Sequence, residues 1–188
     1  MLDIKKISPL FFGIIIAIFV SCNNGKVPVS KMPLSNSQMH ELIKEKETLL
    51  KSDLTNQKNK PLAEELVKIY TDFVTTFPKD TLCPEYLFKA ADVSRGLGRA
   101  LHAVELYVKL IDKYPNSEKA PLALFLQGFI FDNELNDDKK AAELYESFIK
   151  KYPNNKFVKD AEFSIKNLGK SDEQLIEEFE KNQSKNKV

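Results

Sequence analysis

Residues 103–115, AVELYVKLIDKYP, contain the spacing that decides the fold. Tyr107 lies seven residues before the pair Tyr114-Pro115, and two other segments share this spacing. They place Tyr70 before Phe77-Pro78 and Tyr145 before Tyr152-Pro153. The three prolines lie 37 and 38 residues apart. A fixed period in the range of about 20–50 residues indicates supersecondary units that stack on one another.

Each copy is predicted to be the second helix of a helical hairpin. Ala103 is followed by Tyr107 at +4, by Leu110 at +7 and by Pro115 at +12. The same intervals recur in Leu66, Tyr70, Phe73 and Pro78, and in Ala141, Tyr145, Phe148 and Pro153. Offsets of 4 and 7 place the apolar side chains on one helical stripe. Because proline disfavours helix in the residue before it, each helix should end near the Tyr or Phe.

This spacing resembles the second half of the tetratricopeptide repeat (TPR) pattern. The first half departs from the pattern, which has Trp, Leu and Gly on the first helix. This chain has Leu87, Ala90 and Ala91 in one copy, and Leu124, Gln127 and Gly128 in the next. The resemblance covers residues 61–168. It implies an all-α, TPR-like solenoid of about three to four antiparallel helical hairpins.

The N-terminal segment has the organisation of a secretory signal. Lys5 and Lys6 precede an unbroken apolar run from Leu10 to Val20, which is too short to cross a membrane that needs about 20 apolar residues. Ser21-Cys22 then resembles a bacterial lipobox, which implies a signal peptide over residues 1–21 and a lipidated Cys22. The alternative is an ordinary signal peptide, or a short anchor, with an incidental cysteine.

The charge balance argues against a nucleic-acid partner. Removing residues 1–21 takes two lysines and one aspartate from the 28 basic and 27 acidic residues, so 26 of each remain. A nucleic-acid-binding protein needs a clustered basic surface, and a membrane-surface protein without a lipid needs a polybasic patch. The predicted membrane contact is therefore the N-terminal lipid.

The remaining chain divides into a tether, a helical domain and a tail. Residues 22–37 carry turn-forming residues without apolar periodicity, which indicates a flexible tether. The helical domain is predicted over 38–180, with Ser117 as an N-cap. A capping box at Ser171–Gln174 opens a last, acidic helix, interpreted as the polar C-terminal cap of the solenoid or alternatively as a docking face. Residues 181–188 are predicted to form a disordered tail.

The residues that could carry chemistry are few. His40 and His102 lack the neighbouring ligands of a metal site, and Gly96-Leu97-Gly98 lacks the third glycine of a dinucleotide loop. Cys83 shares its repeat position with Ala120 and Val158, which favours a small buried core residue over a reactive thiol. The sequence predicts a protein that is not an enzyme and that has no cofactor and no metal.

The candidate binding residues form a column on the predicted first helices. Phe88, Phe125 and Phe163 each lie ten residues after a proline, and they point roughly 140° away from the expected buried stripe. In TPR proteins, first helices line the groove. That resemblance implies groove candidates Phe88, Asp92, Arg95, Phe125, Phe129, Asp132 and Phe163. The alternative is that these rings are core between adjacent hairpins.

Two classes of function remain at this point. The first is a non-catalytic, membrane-tethered adaptor for a protein or extended peptide. The turns YPNS (114–117) and YPNN (152–155), followed by helices with regularly spaced small residues, resemble those of periplasmic BamD-like and Tol-associated TPR lipoproteins. That resemblance implies a bacterial cell envelope location, at the outer membrane facing the periplasm, with outer-membrane protein assembly as one role. The second is an accessory factor that binds cell-wall peptide or glycan, or that regulates murein enzymes.

Overall fold

Eight helices make up most of the chain that the computed structural model describes, which is residues 33–51 and 59–185. Their bounds are α1 Asn36–Lys51, α2 Lys60–Thr76, α3 Cys83–Gly96, α4 Ala100–Lys113, α5 Ala120–Asn133, α6 Asp138–Lys151, α7 Val158–Asn167 and α8 Asp172–Lys185. The predicted signal peptide, Cys22 and most of the predicted tether lie outside the described residues. None of the described helices is long and apolar enough to cross a membrane.

From α1 to α7, each helix packs against the next one along the chain. The helices therefore form consecutive hairpins, and the predicted all-α, TPR-like solenoid is confirmed. One hydrophobic cluster extends from α1 to α5, and a second joins α5, α6 and α7. No single hairpin buries its own apolar side, so the stacking of successive hairpins supplies the core.

The repeated stripe of the second helices lies at the centre of this core. Ala103, Tyr107 and Leu110 are fully buried, and their counterparts on α2 and α6 are buried as well. Each of the three helices ends one residue before the aromatic residue that precedes proline, close to the predicted position, and the aromatic residue is its C-cap. There the backbone N–H of Phe77, Tyr114 or Tyr152 donates to the carbonyl four residues earlier, at 2.8 Å in all three cases.

The turns between hairpins share a side-chain hydrogen bond, and at Ser117 this bond takes the place of the predicted N-cap bond. Two residues after each proline, the side-chain oxygen of Asp80, Ser117 or Asn155 accepts the backbone N–H two residues further on. These local bonds fix an Asx or Ser/Thr turn before the next helix begins. The prediction that Ser117 caps α5 was therefore wrong, because the N-cap of α5 is Lys119.

Two helix ends differ from the predicted bounds. The first helix begins at Asn36, inside the predicted tether, where the backbone N–H of Ser35 donates to Gln38. The last helix continues to Lys185, into the region predicted to be a disordered tail.

The acidic helix α8 is joined less firmly than the helices before it. The predicted capping box is present, since Ser171 N–H donates to Gln174 and Gln174 N–H donates to Ser171 Oγ. However, α8 makes only marginal contacts with the described helices. It does not cover α7 as α4 and α6 cover the helices before them, so the Phe163 side chain of α7 remains 63% exposed.

Candidate partner-binding cleft

A cleft of about 750 Å³ lies at the end of the helical stack where α5, α7 and the start of α8 meet. Its lining includes three residues that the sequence analysis selected for the groove, namely Phe129, Asp132 and Phe163. Asn133, Lys170 and Leu175 also contribute to the lining. The cleft therefore combines exposed apolar surface with carboxylate and amide groups.

The aromatic column divides according to whether another hairpin follows. Phe88 is 8% exposed and packs on Tyr107, with the ammonium of Lys119 5.0 Å from its ring centroid. Phe125 is 9% exposed and stacks on Phe157 at 5.2 Å between ring centroids. Lys119 and Phe157 both lie four residues after a proline, at the start of the next hairpin.

This packing favours the alternative for Phe88 and Phe125, in which these rings are core between adjacent hairpins. The residue at the start of the following hairpin covers each ring, so both are packing residues at the seam between hairpins. Phe163 occupies the equivalent position on α7 and is 63% exposed. Of the three seam positions, Phe163 is the one with a ring available to a partner.

Asp92 and Arg95 are engaged in contacts within the protein. The hydroxyl of the buried Tyr107 donates to Asp92, whose pKa is raised because burial opposes the charged form. Arg95 pairs with Glu134 at 2.5 Å and lies over the ring of Phe129, 4.9 Å from its centroid. These two groove candidates therefore connect α3 to α4 and α5, and neither lines the cleft.

Asp132 has a different environment. It accepts a hydrogen bond from the Tyr145 hydroxyl at 3.2 Å and faces the cleft, which Asp138 also lines. Burial raises the pKa of Asp132, and the nearby negative charge of Asp138 raises it further. The Tyr145 hydrogen bond acts in the opposite direction. The carboxylates of Asp132 and Asp138 therefore lie near each other in the cleft.

Several lining residues were not singled out from the sequence. Asn133 and Asn167 each donate a side-chain N–H to the carbonyl four residues earlier, at 3.0 and 2.8 Å. Gly169 has a φ of 74°, which favours glycine, and a Cβ there would meet the Asp138 carboxylate at 2.9 Å. The sequence feature that could have pointed to these residues is Gly169, which marks the end of α7 and lets the chain turn close to the cleft.

A second depression, of about 800 Å³, has a simpler origin. Its lining runs from Leu34 to Leu49, so it lies along the outer side of α1 alone. It contains none of the groove candidates and does not join separate hairpins. The cleft beside Phe163 is therefore the better candidate for a binding site.

The histidines and the cysteine of the described region have structural environments. His40 shares a hydrogen bond with Tyr86, and His102 shares one with the buried Ser94. Cys83 is fully buried, as predicted, and its thiol donates to the Phe77 carbonyl at 3.1 Å. Among the described residues, no group of three or more His, Cys, Asp or Glu side chains could hold a metal ion.

Comparison with known protein families identifies the central hairpins. Residues 85–117 and 122–155 match the family model described as tetratricopeptide repeat. These two hairpins are therefore similar to tetratricopeptide repeats. The first matched segment covers most of α3 and all of α4, and the second covers most of α5 and all of α6. No curated protein matches the chain significantly.

The matched TPR segments place the cleft at one edge of the repeat array. Phe129 and Asp132 lie on the first helix of the second matched segment, and Phe163 lies on the helix that follows it. The TPR architecture is that of an interaction scaffold for protein or peptide partners, and such scaffolds are typically non-catalytic. The cleft is the part of this scaffold where a first helix retains an exposed aromatic ring.

Proposed function

We propose that this protein is a lipid-anchored adaptor of the bacterial cell envelope that holds a protein or extended peptide in the cleft beside Phe163. The exposed ring of Phe163 is the observation that carries the proposal. Equivalent rings on α3 and α5 are covered by the next hairpin, whereas this ring is 63% exposed next to Phe129 and Asp132. Exposed aromatic residues that border a pocket are typical anchors of protein interfaces.

The anchor is proposed to be a lipid on Cys22. Support comes from the basic residues, the short apolar run and the small residue that precede this cysteine. We expect radioactive or clickable palmitate to label the full chain and to be lost in Cys22→Ser. Cys83→Ser serves as the matched control, since this thiol is buried and should not influence labelling. Equal labelling of wild type and Cys22→Ser would exclude the lipid anchor.

The location is proposed to be the periplasmic side of the outer membrane, with assembly of outer-membrane proteins as one role. Chemical crosslinking in membranes, followed by mass spectrometry, tests this directly. Phe163→Ala should lose the specific partner, and Val108→Ala is the control because Val108 is also exposed but lies on α4. Recovery of barrel-assembly subunits supports this role.

Binding of cell-wall peptide or glycan is the alternative role. Recovery of murein enzymes in the same crosslinking experiment would favour it. The chemistry of the cleft favours a protein or peptide partner instead, because its rings are phenylalanines and its charged lining is mainly acidic. A wall-binding cleft would more naturally present basic groups and Tyr or Trp rings to a sugar.

A further inference from the structure

Ion pairs bridge the first helices of successive hairpins through most of the stack. Lys89 on α3 reaches back to Glu47 on α1 at 2.9 Å. Lys119, at the start of α5, reaches back to Glu85 on α3 at 2.7 Å, and Arg95 reaches forward to Glu134. At each of these intervals, a basic side chain of the protein neutralises a carboxylate on the neighbouring hairpin.

The interval between α5 and α7 lacks such a basic side chain. The repeat position of Lys119 is occupied by Phe157, and the repeat position of Arg95 is occupied by Asp132. Among the described residues, no ion pair joins α5 to α7. An apolar ring and a carboxylate therefore replace the two cations between α5 and α7, and the carboxylate, Asp132, lines the cleft.

Among the described residues that line the cleft, Lys170 is the one basic residue, and it already pairs with other groups. The ammonium of Lys170 donates to both carboxylate oxygens of Glu178, at 2.9 and 2.8 Å, and to Asn167 at 3.1 Å. Its charge is offset by Glu178, whereas Asp132 and Asp138 face the cleft together. The described lining of the cleft is therefore electronegative.

The protein itself shows how a cation packs against this type of surface. Lys119 lies over the seam ring Phe88, 5.0 Å from its centroid, and Arg95 lies over Phe129 at 4.9 Å. Phe163 occupies the same repeat position as Phe88, and it is exposed. A cation over an aromatic ring is attracted by the negative face of the ring, and a carboxylate nearby adds to the attraction.

We infer that the cleft binds a peptide segment in which a lysine or arginine lies next to an apolar side chain. This inference rests on the proposed adaptor function and names the chemistry of the partner. The cation pairs with Asp132 and Asp138, and the apolar side chain packs on Phe163 and Leu175. Charge complementarity selects this occupant, because an acidic segment would meet two carboxylates without a free cation in the lining.

The test is fluorescence anisotropy of labelled peptides with the purified full chain. Three peptides of equal length are compared: one alternates Lys with Leu, one replaces Lys by Glu, and one replaces Leu by Ser. We expect the Lys/Leu peptide to bind most tightly. Its affinity should fall as the salt concentration rises from about 0.05 to 0.5 M, because ionic screening weakens exposed charge pairs.

Matched variants separate charge from shape. Asp132→Asn keeps an acceptor for the Tyr145 hydroxyl, so we expect the double variant Asp132→Asn/Asp138→Asn to stay folded. It should bind the Lys/Leu peptide about tenfold more weakly, the effect expected for loss of a charge-assisted contact. The double variant Glu105→Gln/Asp112→Asn is the control, since it removes the same two charges from the exposed surface of α4. It should leave the affinity unchanged.

The outcomes distinguish this inference from the adaptor function. Tighter binding of the Glu/Leu peptide, or unchanged affinity in the double Asn variant, would overturn the inference. If Phe163→Ala weakens all peptides equally while the Asn variant has no effect, the cleft still binds partners but does not select a cation. Absence of binding by all three peptides also overturns the inference. The adaptor function would then be judged by the loss of crosslinked partners in Phe163→Ala.

Discussion

The ring of Tyr145 lies directly against the backbone of α5 at Gly128. A Cβ at position 128 would be 2.8 Å from two carbons of this ring, which is itself fully buried. The glycine therefore permits the close approach of α6 to α5, and this approach places the Tyr145 hydroxyl within reach of Asp132 at the cleft.

Replacing Gly128 with alanine should destabilise the fold. Overpacking a filled core costs about 1–3 kcal/mol, and the better helix propensity of alanine returns at most about 1 kcal/mol. We expect a net loss of about 1–2 kcal/mol, measured by urea denaturation. Gly96→Ala is the control, because nothing lies within 4 Å of a Cβ at that position. Equal stability of the two variants would show that α5 and α6 are not packed this closely.

Phe125 and Phe163 should respond in opposite ways to truncation, although they share a repeat position. Phe125→Ala removes a ring that contacts Tyr145, Phe148 and Phe157, so it should cost about 3–5 kcal/mol and lower the melting temperature by several degrees. Phe163→Ala should change the melting temperature little, because its ring is mostly exposed. A large loss of stability in Phe163→Ala would reassign this ring to the core.

Glu47 should hold α1 against the rest of the stack. It accepts hydrogen bonds from the Tyr70 hydroxyl at 2.7 Å and from the Lys89 ammonium at 2.9 Å. Glu47→Gln should cost about 1–2 kcal/mol and should speed hydrogen exchange within α1, whereas the exposed Glu45→Gln should do neither. Unchanged exchange in Glu47→Gln would mean that apolar packing alone holds this helix.

The same residue should contribute to acid sensitivity. Burial alone would raise the pKa of Glu47, but the Lys89 and Tyr70 contacts bring the pKa below its ordinary value of 4.5. A carboxyl whose pKa is lower in the folded state stabilises the fold above the unfolded value and loses this effect as the pH falls. Glu47→Gln should therefore flatten the decline in stability below about pH 4.5. An unchanged decline would contradict this assignment.

Asp92 should show the opposite dependence on pH. Burial raises the pKa of Asp92 above its ordinary value of 3.8, despite the Tyr107 hydrogen bond. The folded state then binds the proton more tightly, so the stability supplied by this carboxyl is present below pH 3.8 and is lost as the pH rises through the folded value. Asp92→Asn should be more stable than the wild type at pH 7. This advantage should vanish below about pH 3.8 in thermal melts. A variant less stable at pH 7 than the wild type would contradict this.

The repeat period was sufficient to predict the hairpins. The repeated spacing of Ala103, Tyr107 and Pro115 determines which helical face is apolar and where the helix ends, and both are local properties. Whether each ring of the aromatic column is buried or exposed is not a local property. A single helix cannot show that Lys119 covers Phe88, that Phe157 covers Phe125, or that Phe163 remains exposed, because the covering residue belongs to the next hairpin.

The sequence predicted only part of the cleft, for the same reason. Phe129, Asp132 and Phe163 were selected by their position on first helices. Asn133 and Lys170 were not, because their role depends on the turn after α7 and on the Glu178 ion pair. Gly128 shares its repeat position with Ala91, and nothing in the sequence shows that Gly128 lies against a tyrosine ring.

The most direct test of the central claim is site-specific photocrosslinking. A benzoylphenylalanine is placed at position 163 of the full chain, and at position 108 in a matched control, since both side chains are exposed but lie on α7 and α4. On illumination in intact cells, the cleft model predicts a discrete adduct with a partner from position 163 and none from position 108. Absence of an adduct at 163, or the same adducts at both positions, would contradict the proposal that this cleft binds the partner.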